Sequence, residues 1–187
     1  PTLLLAAGSI AFNPTFWNIV ARWEHRTRGL TRIFGGAYPG CYVLAATIFF
    51  LGLLRDYLFA LALDHQPTLA VLDTDAVKGA AAVFLGVGNV LVLSSMWRLG
   101  VTGTYLGDYF GILMESRVTD FPFNVMENPM YTGSTMCFIG TALWKASGAG
   151  LVLSVWVWVV YQIALALEGP FTGQIYAKRD EERRKGK

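Results

Sequence analysis

Long apolar runs separated by short polar connections leave this chain few folds to choose from. Residues 38–63 read YPGCYVLAATIFFLGLLRDYLFALAL, the run from about Val77 to Leu99 contains AVFLGVGNVLVLSSMW, and GLVLSVWVWVVYQIALAL ends at Leu167. A helix needs about 20 apolar residues to cross roughly 30 Å of hydrocarbon, and each of these runs is that long. A soluble domain is excluded by 54% hydrophobic and only 15% charged residues, with a mean hydropathy of +0.45. The expected architecture is an all-α integral membrane protein, a bundle of four to five transmembrane or re-entrant helices. Spans of this number take up around half of the 187 residues, so residues 1–187 are expected to form a single membrane-embedded domain. With no separate soluble domain, any active site must be built from helix ends and loops at the membrane surface.

The first apolar segment, about Thr2 to Ala21, contains Asn13-Pro14 and either spans or lies partly embedded as a broken helix. Asp73, Thr74 and Asp75 stand where they can cap the third run. A shorter run from Met130 to about Trp144 is predicted to form a helical hairpin with the last one, turning at Ser147-Gly148-Ala149-Gly150. Arg22, Arg26, Arg28 and Arg32 follow the first segment, Lys178, Arg179, Arg183, Arg184, Lys185 and Lys187 crowd the tail, and Asp64, Asp73 and Asp75 occupy the connection between the second and third runs. The positive-inside rule puts both basic clusters in the cytosol and the acidic connection opposite. Arg55 and Asp56 are adjacent inside the second run and so are not expected to face each other on a helix; Arg55 reads as snorkelling to the interface or as a grip on a lipid phosphate. No secretory cleavage signal is recognisable, and the first residue is Pro, which points to a start further upstream.

Metal chemistry is not expected, because Cys41 and Cys137 lie far apart in apolar runs and His25 and His65 are isolated in polar connections. Nothing points to a nucleic acid partner. The stretch GVTGTYLGDYFGILMESRVTDFPFNVMENPMY, from Gly100 to Tyr131, holds more charge than a simple connection requires, in Asp108, Glu115, Arg117, Asp120 and Glu127. Asp108 lies within Gly-Asp-Tyr-Phe-Gly, where a carboxylate and an aromatic face together suit a cationic ligand. Gly86-Val87-Gly88 in the third run reads, by spacing alone, as a helix-packing element. Glu168 closes the last run before Gly169-Pro170, where helix is expected to meet water.

GTYLGDYFGILMESRVTDFPFNVMENPMYTGST, followed by LEGPFTGQIY, resembles the small phosphatidylethanolamine and phospholipid N-methyltransferases of the endoplasmic reticulum. The similarity runs from the third span to Tyr176, and Glu168-Gly169-Pro170-Phe171 looks like the fungal members, where animal members have two consecutive acids. The resemblance implies S-adenosylmethionine as methyl donor, bound by Gly86, Gly88 and Glu168. Asn128-Pro129-x-Tyr131 is more distantly similar to the His-Pro-x-Tyr element of the isoprenylcysteine carboxyl methyltransferase superfamily, which adds Asn128 and Tyr131 to the implied cofactor contacts. The implied acceptors are phosphatidyl-N-methylethanolamine and phosphatidyl-N,N-dimethylethanolamine, with phosphatidylethanolamine itself beside them, in a multi-pass protein of the endoplasmic reticulum or also the mitochondrial membrane. An ethanolamine nitrogen must lose a proton before it attacks, so Asp108 and Glu115 are candidate proton acceptors or cation stabilisers and Arg117 a candidate phosphate ligand. Two alternatives stay open: a prenylcysteine carboxyl methyltransferase, and a non-catalytic membrane adaptor that binds lipid.

Overall fold

A computed structural model describes residues 1–185, in which all regular structure is helical. Lys187, part of the basic tail, lies outside the described residues. The elements are α1 (Thr2–Thr27), α2 (Gly29–Ile33), α3 (Ala37–Asp64), α4 (Asp75–Thr104), α5 (Pro129–Trp144) and α6 (Gly148–Lys185), with short 3-10 turns at Ala70–Leu72 and Gly107–Phe110. Helices α1, α3, α4 and α6 are each long and apolar enough to cross a membrane. Their outward faces carry Phe50, Leu93, Trp97 and Val152, with Trp97 86% exposed, which suits lipid and not water. The chain is a multi-pass membrane protein.

The first segment, for which the sequence allows a span or a broken helix, is one continuous helix through Pro14. Asn18 Nδ2 donates to the Pro14 carbonyl at 3.0 Å, and the buried positions Ala6, Ile10, Asn13, Ala21 and Glu24 recur at helical spacing along one face. Glu24 ends this face fully buried, accepting from Leu30 N at 2.6 Å, from Thr31 N at 3.3 Å and from the Thr31 hydroxyl. A carboxylate with three donors is satisfied, so Glu24 caps α2 and fixes the turn that follows α1. Arg28 occupies the turn with φ 54° and reaches the Phe110 carbonyl at 2.5 Å, tying the end of α1 to the end of α4.

Helix α4 starts as its capping residues predict, with Val77 N donating to Thr74 Oγ1 at 3.3 Å. It packs against α5 through Gly88 and Gly133: a Cβ on Gly88 would fall 2.6 Å from the Gly133 carbonyl oxygen, and one on Gly133 the same distance from that of Gly88. Such an approach needs glycine on both sides. The α5–α6 hairpin forms, although its turn lies at 145–147, with Ala146 at φ 48°, and α6 already begins at Gly148. The largest difference concerns α6, which continues through Gly169-Pro170 to Lys185. Its 38 residues extend about 57 Å, almost twice the hydrocarbon thickness, so the segment beyond Leu167 projects from the membrane as helix.

Contacts show which helix ends lie together. Arg28 meets Phe110, Met114 N donates to Tyr176 OH at 3.2 Å and Arg179 Nη1 donates to the Met114 carbonyl at 2.6 Å, gathering the ends of α1 and α4 with the projecting part of α6. At the opposite end, Lys145 pairs with Asp64, and Leu69 N donates to the Ala146 carbonyl at 2.8 Å.

Candidate active site

A cavity of about 380 Å³ opens between the helices, on the side of the bundle where the arginine-rich end lies, and every long helix contributes to its wall. Asn13 and Trp17 come from α1, Gly52, Leu53, Arg55 and Asp56 from α3, Val92 and Met96 from α4, Tyr131 and Ser134 from α5, and Tyr161 and Glu168 from α6. The connection between α4 and α5 adds Tyr105, Leu106, Phe123, Glu127 and Asn128. The volume falls in the roughly 300–1,000 Å³ range of small-molecule sites, and a mostly aromatic and apolar wall with a few polar groups is what such sites share.

Glu168 is the best-held group on this wall. Its Oε1 accepts from Trp17 Nε1 at 2.6 Å and from Asn18 Nδ2 at 3.0 Å, while Oε2 accepts from Tyr131 OH at 2.7 Å. The helix does not end there, as expected from Gly169-Pro170; it runs on and turns the carboxylate inward. Just before Pro170, Arg22 Nη2 donates to the Leu167 carbonyl at 2.8 Å, tying α1 to α6 beside Glu168. Tyr131 is delivered by the first turn of α5, where Pro129 takes the first helical position and Thr132 N donates to the Asn128 carbonyl at 3.1 Å. Asn128, Tyr131 and Glu168, chosen from the sequence, thus meet on one cavity.

Behind Tyr131 stands Tyr161, edge-on with centroids 4.9 Å apart, and its hydroxyl lies 3.0 Å from Ser134 Oγ. Arg55 Nη1 donates to that hydroxyl at 2.7 Å, its guanidinium bonds Asp56 at 2.9 Å and it covers the Phe138 ring at 4.9 Å. Against the expectation from sequence, Arg55 does meet Asp56 and turns into the bundle instead of snorkelling outward, neutralised by its neighbour. A second cavity of about 320 Å³ lies between α5 and α6, lined by Thr132, Thr135, Trp158 and Gln162, and shares Glu127, Asn128, Tyr131 and Tyr161 with the first.

The other expected residues lie elsewhere. Gly88 is sealed against α5, and Gly86 faces outward with nothing within 4 Å of where a Cβ would stand, so neither glycine lines the cavity. Helix α4 reaches it further along, through Val92, Met96 and Leu99. Asp108 accepts from Thr172 Oγ1 at 3.0 Å in a knot beside the cavity, where Tyr109 stacks on Phe171 at 5.0 Å, His25 meets Phe171 edge-on at 5.2 Å and Arg22 covers the same ring at 4.7 Å. Glu115 and Arg117 are exposed on the connecting loop and border neither cavity. Sequence reasoning missed Asn13, Trp17, Asn18 and Tyr161. Asn13 and Trp17 stand one helical turn apart in a mostly apolar run that also holds Ser9, Thr15 and Asn18, a signal masked by Pro14, which lets the same residues read as a helix break.

No solved structure shows a significant match to this chain. The phospholipid methyltransferase family model matches residues 77–179. A phosphatidyl-N-methylethanolamine N-methyltransferase of Neurospora crassa is 60% identical over 185 residues, covering 98% of this chain and 86% of the relative. The enzyme of that name from Saccharomyces cerevisiae is 55% identical over 96% of this chain and 87% of its own length, and a human phosphatidylethanolamine N-methyltransferase is 51% identical over 96% and 90%. On family match and near full-length identity together, the chain belongs to the phospholipid methyltransferase family.

Proposed function

We propose that this enzyme transfers methyl groups from S-adenosylmethionine to the amines of phosphatidyl-N-methylethanolamine and phosphatidyl-N,N-dimethylethanolamine, and to phosphatidylethanolamine, ending at phosphatidylcholine. The observation that carries the reading is the Glu168 carboxylate, held by Trp17, Asn18 and Tyr131 on the wall of an aromatic cavity within a membrane bundle. The relatives' names supply the acceptor class, and the setting explains it, since a diacyl lipid keeps its chains in the leaflet while its amine reaches the helix ends.

The residues present fit a sulfonium nucleoside. Bound there, S-adenosylmethionine supplies an electrophilic methyl group on a positively charged sulfur. Trp17, Tyr105, Tyr131 and Tyr161 offer ring faces that attract a cation without competing for the methyl carbon. Glu168 supplies the negative charge for an ammonium, with Asn128 and Tyr131 beside it at the start of α5. Gly88 serves the site by packing, since it sets how closely the α5 backbone, and so Tyr131, sits against α4.

An amine nucleophile has to shed a proton, and the acid best placed to receive it is Glu127, which is exposed to water and lines both cavities. Asp108 has a positioning part: through Thr172, one turn beyond Glu168, it fixes the phase of α6. Glu115 and Arg117, on the exposed loop, meet the polar surface of the leaflet, with Arg117 suited to a headgroup phosphate. The whole of residues 1–187 acts as one membrane-embedded methyltransferase domain, resident in the endoplasmic reticulum with its arginine-rich end in the cytosol.

The test is direct. Purified protein is incubated with labelled S-adenosylmethionine and each methylation state of phosphatidylethanolamine, and the lipids are separated. Label is expected in phosphatidylcholine from the monomethyl and dimethyl acceptors; absence of labelled lipid from all acceptors overturns the proposal.

A further inference from the structure

We propose that Asn13, on the first helix, is a ligand-binding residue that donates an amide N–H to the carboxylate of the methyl donor's amino-acid end, while Glu168 takes the adjacent ammonium. The inference deepens the reading above and rests on the cavity being the donor site. It concerns a helix that the family match, residues 77–179, leaves out.

Asn13 is 2% exposed, lines the same cavity as Glu168, and its amide nitrogen has no hydrogen-bond partner. A primary amide left unpaired inside a protein bundle is costly, because folding has removed its water and supplied no acceptor in return. Buried polar groups without partners are rare enough that each calls for a reason. Trp17, one turn further along α1, also lines the cavity and donates to Glu168, so Asn13 and the Glu168 carboxylate belong to one wall.

Glu168 complements this orphan. A carboxylate offers about four acceptor positions, and three are taken by neutral donors, Trp17, Asn18 and Tyr131. One position and the whole negative charge remain for a cationic donor. A wall with a spare anionic acceptor and a spare neutral donor matches the α-amino acid zwitterion, in which ammonium and carboxylate leave the same carbon. The cationic side chain on this wall, Arg55, has its charge neutralised by Asp56 and gives three of its five N–H groups to Asp56 and Tyr161, whereas the Asn13 amide nitrogen has no partner.

The experiment is calorimetric titration of the purified full chain in lipid nanodiscs with two nucleosides. S-adenosylhomocysteine keeps the amino-acid end, and methylthioadenosine lacks it. Asn13→Leu, similar in volume, should weaken S-adenosylhomocysteine at least tenfold and leave methylthioadenosine within twofold. Asn13→Asp, which keeps the shape and faces the carboxylate with a like charge, should weaken S-adenosylhomocysteine further, and it decides the matter if the leucine variant does not fold. Unchanged S-adenosylhomocysteine affinity in the variants overturns the inference, as does an equal loss for both nucleosides, which marks a structural role. If the unaltered protein binds neither nucleoside, the donor-site reading itself fails, an outcome distinct from these.

Discussion

Glu168 does at the residue scale what no single stretch of sequence does, because its partners Trp17 and Asn18 lie 151 and 150 positions away. Both of these bonds come from α1, so the carboxylate both binds and locks the first helix to the last. Replacing it by Gln keeps the size but removes the charge, and its single amide oxygen cannot serve both the two N–H donors, Trp17 and Asn18, and the Tyr131 hydroxyl as the carboxylate does. Glu168→Gln is expected to weaken S-adenosylhomocysteine at least tenfold, about 1.4 kcal/mol, in a titration of the purified protein. Tyr131→Phe removes one donor and leaves the charge, so a smaller loss is expected; equal losses would show that charge is not what the site uses. The acid itself and Tyr131 were legible from their motifs. Their neighbours were not, since Asn13 and Asn18 in a mostly apolar run acquire meaning only when a distant helix brings the acid to them. Glu24 illustrates the same point, standing in an arginine-rich stretch that reads as solvated while the fold buries it completely.

Helices were legible where hydropathy extends over many turns; Pro14 left a span and a broken helix both open, and Gly169-Pro170 was misread as the place where the last helix ends. Pro14 and Pro170 both sit inside continuous helix: each removes only its own bond to the carbonyl four residues back, that of Ile10 and of Ala166, and the long helix on either side carries the chain through. The true interruption falls at Gly100, φ 65° and ψ −177°, near the end of α4. This conformation is essentially restricted to glycine, and it redirects the chain so that Thr104, Tyr105 and Leu106 reach the cavity. A Cβ at Gly100 would meet nothing within 4 Å, so any penalty there is backbone strain and not crowding. Gly100→Ala is therefore expected to destabilise by about 1–3 kcal/mol. Gly79, in the same helix and equally uncrowded, has ordinary helical geometry, and Gly79→Ala should raise stability by up to about 1 kcal/mol. Thermal melting of both variants in detergent checks the pair, and melting shifts of the same sign would refute the assignment of strain to Gly100.

Across the whole molecule, the direction of the helices converts charge distribution into sidedness. Helices α1 and α6 run parallel, since Ala7 meets Trp156 and Trp17 meets Glu168, and both lead toward the end that holds Arg28, Met114 and Arg179. Because α5 returns the chain to the Asp64 end before α6 leaves it, the basic tail shares a side with the arginine-rich turn, as the positive-inside rule requires. The hydropathy pattern alone could not decide this, because α5, at 16 residues, extends only about 24 Å and falls short of a standard span. Its shortness is tolerable because Gly88, Gly133 and Gly140 pack it closely against α4, away from a full hydrocarbon path of its own. Sidedness can be measured with single cysteines placed after Cys41 and Cys137 are replaced by serine. In sealed microsomes, Arg183→Cys should react with a membrane-impermeant maleimide applied from the cytosolic side. Gln66→Cys, in the connection at the other end, should react only after the membrane is opened. If both react before permeabilisation, the end bearing Asp64 and Lys145 faces the cytosol as well, which these helix directions do not allow.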